Sequence, residues 1–342
     1  MIIALLTTLC FITACSPENE PAAALPTPPV KPAEPPVSGD DDDTPSMGGR
    51  FTERSTVAEV VADPAFGDFG RLLFPVDRNV PASMTLREVS SSSVYVWYTH
   101  IRAEKTVEIV NYLRDEALAG RRIFYRFYSD AEIAADPSKA DTGLFFFQGG
   151  HGAPFAVANA GGGFAYVGAM HDSFPHALEI ARAGYNAFAL IYRPDEPYED
   201  LARAIAYIHD HADELGVETD GYSLWGGSAG ARMAATLGNG SYLQQLTGRT
   251  DIPQAAAVVM QYTGYSSASR YDAPTYVCVG TSDGIASWRT MQNRLQQLAA
   301  MGIPTEFHAY EGLGHGFGIG TGTVAEGWVD DAVGFWEKRI HP

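Results

Sequence analysis

The order of elements along this chain predicts an α/β fold, a mostly parallel twisted sheet with helices on both faces. Three observations lead there. From residue 144 onward, short apolar runs alternate with amphipathic stretches long enough to be helices. The apolar runs contain few polar residues, as strands buried on both faces require. A glycine-rich turn around Ser228 joins one such run directly to one such amphipathic stretch.

The elements follow in order. Residues 93–99 read as a strand because aromatic and β-branched residues fill them. Residues 103–119 read as a helix with Val107, Val110, Leu113 and Leu118 near one face, stopped by Gly120. A second strand is expected at 122–128. Runs 144–148 and 155–159 are strands, and Gly149-Gly150-His151-Gly152-Ala153-Pro154 between them reads as a hairpin turn joining neighbours. Helices are then expected at 173–183, 198–215, 229–237, 288–301 and 324–338. Strands are expected at 186–192, 222–225, 255–261, 275–279 and 305–310.

The first 50 residues have a different character. Residues 1–14 are apolar apart from threonines, shorter than the roughly 20 residues of a spanning helix but matching the core of a secretory signal. They end Ile12-Thr13-Ala14-Cys15, which resembles the lipobox of bacterial lipoproteins. The resemblance implies cleavage before Cys15, acylation of its thiol, and a lipid anchor worth about 0.8 kcal/mol per buried CH₂. Residues 15–50 are rich in Pro, Ala, Asp and Ser and read as an extended tether. Asp40 to Asp43 read as a solvated charge run, since they lack the spacing of a calcium loop. The resulting expectation is an extracytoplasmic protein of the bacterial cell envelope, on the outer membrane where there is one, because no retention aspartate follows Cys15. A globular domain then fills 51–342, with an N-terminal extension at 51–141 and a core at 142–342. The formal net charge of −18 argues against nucleic-acid binding. With Cys10 in the signal and Cys15 acylated, Cys278 is left alone inside an apolar run and reads as a core residue.

The chemistry gathers at loops after strands. Gly226-Gly227-Ser228-Ala229-Gly230 matches G-x-S-x-G, with a strand before it and a helix after it. That context exposes a serine hydroxyl on a sharp turn above a helix N-terminus. A serine nucleophile needs a base to take its proton. In this topology an acid and then a histidine follow the serine. Asp283 follows the strand at 275–279, and His315 follows the strand at 305–310. Asp272 precedes its strand and so belongs to the opposite rim. For the oxyanion, the backbone N–H of Ala229 is one expected donor. Gly162 and Gly163, in the loop after the strand at 155–159, are expected to supply the other.

Ala160-Gly161-Gly162-Gly163-Phe164, Tyr192-Arg193-Pro194, Asp200, the Ser228 motif, Asp283 and His315 together resemble the hormone-sensitive-lipase and feruloyl/acetyl-xylan esterase branch of α/β hydrolases, from about residue 144 to 338. The resemblance implies an α/β-hydrolase fold and cleavage of short-chain or carbohydrate-linked carboxylic esters, with neither metal nor other cofactor. It also implies that Tyr192 and Arg193 support the loop. The loop begins with Ala160 where the family usually has histidine, and Asn159 or His171 is the expected substitute support. Residues 51–141 are expected to supply first strands and a lid. Their aromatics Phe66, Phe69, Phe74, Tyr95, Trp97 and Tyr98 suit a core better than a pocket. Two other readings stay open: a prolyl-oligopeptidase-like peptidase, and a non-catalytic surface protein on the same scaffold. Oligomeric state is not legible.

Overall fold

Among the described residues, eight strands build one sheet: β1 (Phe124–Tyr125), β2 (Gly143–Phe147), β3 (Pro154–Asn159), β4 (Asn186–Ile191), β5 (Glu218–Gly227), β6 (Ala257–Gln261), β7 (Thr275–Gly280) and β8 (Thr305–Tyr310). Their spatial order is β1-β2-β4-β3-β5-β6-β7-β8. Strand β2 runs against β1 and β4, and all pairs from β4 to β8 are parallel. The computed structural model describes residues 49–91 and 93–340. The expectations for the signal, Cys15 and most of the tether therefore lie outside the described residues.

Strands β2, β3 (after its first residue), β4, β6 and β7 are buried throughout. This burial on both faces explains their continuous apolar runs, such as Leu144-Phe145-Phe146-Phe147. Helices α1 (Val57–Val61), α2 (Leu86–Ser91), α3 (Ala103–Leu118) and α4 (Asp130–Ala135) precede the core of the sheet. They are followed by α5 (Ala169–Asp172), α6 (Phe174–Arg182), α7 (Pro197–Asp210), α8 (Ala212–Leu215), α9 (Ala229–Leu237), α10 (Gly240–Thr247), α11 (Trp288–Ala300) and α12 (Trp328–Ile340). Helices α6 and α12 pack together over one face. Helices α7 and α9 pack together over the other, and α11 covers β7 and β8. No helix among the described residues is long and apolar enough to cross a membrane.

The chain passes from β3 to β4 on one side and later returns to β5 on the other side of β3. Loops leaving the C-terminal ends of β3 and β5 thus diverge, and a crevice opens between them. That switch point locates the site described below.

Several sequence expectations need correction. Residues 93–99 are not a strand. They form a 3-10 turn, Ser93–Tyr95, and then irregular chain with positive φ at Trp97 (78°) and His100 (57°). The backbone there bonds across the fold instead, with Thr99 N–H donating to Gly316 O at 2.9 Å. Propensity lost to tertiary contact. The strand expected at 122–128 shrinks to Phe124–Tyr125. The glycine turn at 149–154 is no hairpin, because β4 lies between β2 and β3. Gly150 and Gly152 donate instead to Gly184 O and Gly216 O, near the N-terminal ends of β4 and β5. The helix expected at 198–215 breaks at His211 into α7 and α8. The closing helix starts only at Trp328, after Gly327 with φ 91°. Helix α10, capped by the Asn239 side chain, was not anticipated.

Burial leaves three histidines uncharged, His209 among them, lowered to about 4 chiefly by loss of water. His171 and His176 are held down to about 3 and about 4 by loss of water around the imidazolium. Their unfolded counterparts take up protons near 6.5, so the unfolded chain binds more protons between that value and the folded ones. Stability should therefore fall as pH drops below 6.5, by up to about 1.4 kcal/mol per pH unit for each group. Asp172 and Asp77, each raised to about 6 chiefly by burial, oppose two of the three: their charges cost stability above that pH and are relieved below it. Urea midpoints measured from pH 7 to 4.5 should decline. The decline should be shallower in His176→Gln, and an equal slope in that variant would refute the assignment.

Candidate active site

The strand-to-helix turn after β5 carries Ser228 at φ 51° and ψ −113°. A non-glycine residue in that region costs about 1–3 kcal/mol unless its surroundings enforce it. The enforcement is steric. A Cβ on Gly226 would lie 2.3 Å from the Gly230 carbonyl carbon, and one on Gly230 would lie 2.0 Å from Asn159 O. Only glycines let strand, helix and the end of β3 meet so closely. Ser228 N–H donates to Gln261 O on β6 at 2.9 Å, which fixes the turn to the neighbouring strand. Ser228 is also the N-cap of α9, yet its side chain makes no capping bond. The hydroxyl is left for another partner.

That partner is His315. Its Nε2 lies 3.1 Å from Ser228 Oγ, and its Nδ1 lies 2.7 Å from Asp283 Oδ2. A carboxylate can only accept, so Nδ1 carries the proton and Nε2 accepts from the serine hydroxyl. Asp283 is itself oriented: its other oxygen accepts from the N–H groups of Ile285 and Ala286, each at 2.7 Å. The Asp283 side chain is fully buried and that of His315 is 7% exposed. The structure thus brings together three residues that lie 87 and 32 positions apart in sequence. Asp272 lies elsewhere, paired with Arg294 at 3.1 Å and bonded to Asn239.

Gly163 and Ala229 border the same cavity as Ser228 and His315. Gly162 sits one residue back, buried, with the Tyr166 carbonyl where a Cβ would be. The loop has no histidine at its head. Tyr192 OH donates to Ala160 O at 2.7 Å, as the resemblance implied. Arg193 does not reach the loop; it is bound to Asp200 and Asp136. Neither suggested substitute for the missing histidine holds the loop. Asn159 donates to Trp225 O at 2.8 Å, tying strands together, and His171 Nε2 has no hydrogen-bond partner.

The support comes from Asp172, which sequence reasoning missed. Its Oδ2 accepts from Gly161 N–H at 2.7 Å and from Tyr98 OH at 3.1 Å, and its Oδ1 accepts from Tyr262 OH. Tyr262 in turn lies against the His315 ring, 4.9 Å between centroids, and its hydroxyl accepts from Gly318 N–H. One carboxylate therefore ties the glycine loop to the histidine loop. Its pKa is raised to about 6 by burial, against the lowering effect of the Tyr262, Gly161 and Tyr98 bonds. A lone aspartate after a histidine gives no pattern to read. Its role appears only once β3, β6 and the extension converge.

The extension takes part through that contact and through Thr99, whose hydroxyl donates to His315 O at 2.8 Å. Phe66, Phe74 and Tyr95 are core residues, Phe69 and Tyr98 are half-buried, and Trp97 is 44% exposed. None of the six borders the cavity at Ser228. That cavity, about 460 Å³, is lined among others by Phe164, Thr263, Tyr265, Ser266, Ser267 and Ile285. Cys278 is buried in β7. No group of three or more His, Cys, Asp or Glu among the described residues is placed to hold a metal ion.

Two outcomes test this construction. Gly230→Ala should destabilise the fold by about 1–3 kcal/mol in urea titration, since backbone cannot yield to the new methyl. Tyr262→Phe should move the Asp172 titration upward from about 6, read as the carboxyl carbon shift in ¹³C NMR, because a bond to the ionised form is lost. An unmoved midpoint would show that the phenol does not hold the carboxylate.

Residues 149–283 match the BD-FAE family model. The match includes Gly162, Gly163, Ser228 and Asp283 and stops before His315, which the geometry alone adds. No curated protein sequence matches this chain. Among solved structures, the chain is similar to an acetyl ester-xyloside bifunctional hydrolase from Caldicellulosiruptor lactoaceticus, with 18% identity, 63% of this chain and 95% of that one covered, and a TM-score of 0.54. It is also similar to the apo form of Thermogutta terrifontis esterase 2, with 20% identity, 64% and 96% covered, and a TM-score of 0.53. A third likeness is to a sugar hydrolase from Lactococcus lactis, with 18% identity, 58% and 94% covered, and a TM-score of 0.51. At such identities the likeness is one of fold. Residues 149–283 are thus similar to the BD-FAE family, and the sheet order and the elbow at Ser228 are those of an α/β-hydrolase fold.

Proposed function

We propose that the protein is a serine esterase that cleaves carboxylic esters of small or carbohydrate-linked acyl groups. The observation that carries this reading is the continuous relay from Asp283 through His315 to Ser228, opening on a cavity. Two proteins of similar structure, an esterase and an acetyl ester-xyloside bifunctional hydrolase, support it.

The chemistry follows from the donors and acceptors in place. Ser228 Oγ attacks the ester carbon while its proton passes to His315 Nε2. Asp283 stabilises the imidazolium and keeps its orientation. The carbonyl oxygen becomes an oxyanion, met by the backbone N–H of Ala229 and by the Gly162–Gly163 loop, with the N-terminus of α9 adding its positive dipole end. The intermediate collapses and expels the alcohol, which takes the proton from His315. Water then attacks the acyl-enzyme with His315 as base, releasing the acid and restoring Ser228. Asp172 acts through the loop and is a positioning residue.

The placement of the protein is part of the proposal. Cys15 would carry acyl chains, and residues 16–50 would hold the domain clear of a membrane of the cell envelope.

Fluorophosphonate should label Ser228 in the native protein and leave Ser228→Ala unlabelled. On p-nitrophenyl acetate, Ser228→Ala and His315→Ala should lose about 10⁴-fold or more in kcat, and Asp283→Asn a similar order. Faster turnover of aminoacyl amides than of esters would favour a peptidase. No labelling at all would leave a binding protein. For the anchor, Cys15→Ser should shift the protein from the membrane to the soluble fraction of the expressing cell, and an unshifted protein would refute lipidation.

A further inference from the structure

The cavity at Ser228 contains one cationic side chain and no carboxylate among the described residues that line it. The cation is Arg232, on α9 one helical turn beyond the nucleophile. Its amide N–H donates to Ser228 O at 3.3 Å, and residues at this spacing share a helix face. The residue is exposed, and among the described residues it forms no ion pair within 4.0 Å. Its recorded side-chain neighbour is the Tyr265 ring, 6.0 Å away.

Arg54, Arg78, Arg102, Arg270, Arg289 and Arg339 also form no ion pair among the described residues, but of these seven arginines Arg232 alone lines the cavity at Ser228. Arg114 is paired with Asp63, Arg193 with Asp200, Arg249 with Asp251 and Arg294 with Asp272. A chain with 41 acidic and 23 basic residues has carboxylates in excess, yet none is set beside Arg232. The nearest acid in the catalytic machinery, Asp283, is fully buried and already engaged by His315, Ile285 and Ala286. The adjoining Tyr265–Ser267 segment is held in place. Arg294 Nε donates to Ser267 O at 2.8 Å, and its guanidinium lies 5.5 Å from the Tyr265 ring.

From this arrangement, and resting on the ester-hydrolase reading above, we infer that the preferred substrate is an ester that also carries a carboxylate, which Arg232 receives. A neutral ester entering the cavity would strip water from the guanidinium without replacing those bonds. A carboxylate would replace them with charge-assisted, bidentate ones. Because the site is open to water until it is filled, the contact matters most once substrate has displaced that water. The anionic group belongs either to the acyl half, as in a dicarboxylic half-ester, or to the alcohol half, as in a carboxylated alcohol or sugar acid.

Two matched pairs separate those sources. For the alcohol half, kcat/KM is compared for 4-acetoxybenzoate and 4-acetoxybenzamide. For the acyl half, it is compared for monoethyl adipate and ethyl adipamate. The readout is the anionic-to-neutral ratio in the native enzyme and in Arg232→Gln and Arg232→Glu. In the arm that matches the natural substrate, the ratio should fall about tenfold or more in Arg232→Gln, equal to about 1.36 kcal/mol. It should fall further in Arg232→Glu, where like charges oppose. Ratios unchanged within about twofold in both arms would overturn the inference. So would equal slowing of anionic and neutral esters, which would mean that Arg232 only packs on Tyr265.

A binding measurement keeps this test apart from the catalytic reading. In Ser228→Ala, calorimetry should show 4-acetoxybenzoate or monoethyl adipate binding about tenfold tighter than its amide, with the preference lost in the Ser228→Ala/Arg232→Gln double variant. If native enzyme hydrolyses neither ester while this preference holds, the esterase reading fails and carboxylate recognition survives. If the preference is absent, recognition fails whatever the turnover.

Discussion

Everything at the site depends on how closely three backbones approach one another below Ser228. Strand β5, helix α9 and the end of β3 come within a distance that no side chain at Gly226 or Gly230 would permit. The serine is consequently held at φ 51°, a conformation a free chain would leave. The cost of that turn is met by the burial of β5 and α9 in the sheet and by the Ser228 N–H bond to β6. The turn leaves the Ser228 side chain free of a capping bond and within reach of His315.

A second constraint couples the loops around that hydroxyl. Asp172 joins the glycine loop, Tyr98 of the extension and Tyr262 beside His315. Its carboxylate is buried, so its charge is tolerated only while those donors stay in place. Movement of either loop would leave the charge without partners. The same group therefore favours one arrangement of the glycine loop and the histidine loop, in a protein whose glycine loop begins with Ala160. Thr99 adds a further bond from the extension to the histidine loop. Residues 51–141 thus serve the site as a brace more than as a wall, since their aromatics are spent on packing or on the far side of the glycine loop.

Charge is distributed to suit a neutral reaction centre. His171 and His176 stay uncharged in the core, and the surface arginines are largely matched with the plentiful acids. Arg232, on the cavity wall, is one of the arginines without an acid among the described residues. An unmatched charge beside Ser228 is costly only when water is excluded, which is when a ligand could answer it.

Much of this was legible in the amino-acid order, and the reason is that local rules governed it. The period of apolar residues marks a strand buried on both faces or a helix with one buried side, so β2, β4, β6, β7, β8, α6, α9 and α11 emerge close to their observed bounds. The elbow at Ser228 is legible for the same reason: glycines at fixed offsets between strand and helix have a local steric meaning. Sequence order also places Asp283 and His315 after successive strands, which puts them at one rim of a parallel sheet. Only tertiary structure decided the rest. The position of β4 between β2 and β3 rests on pairing between distant segments, so the turn at 149–154 passes for a hairpin. The run 93–99 has strand-forming side chains but spends its backbone on the histidine loop. Asp172 has no motif, because its partners, Gly161, Tyr98 and Tyr262, come from three separate parts of the chain. Contacts between segments far apart in sequence leave no periodic trace, and they are what turned a rim of loops into a site.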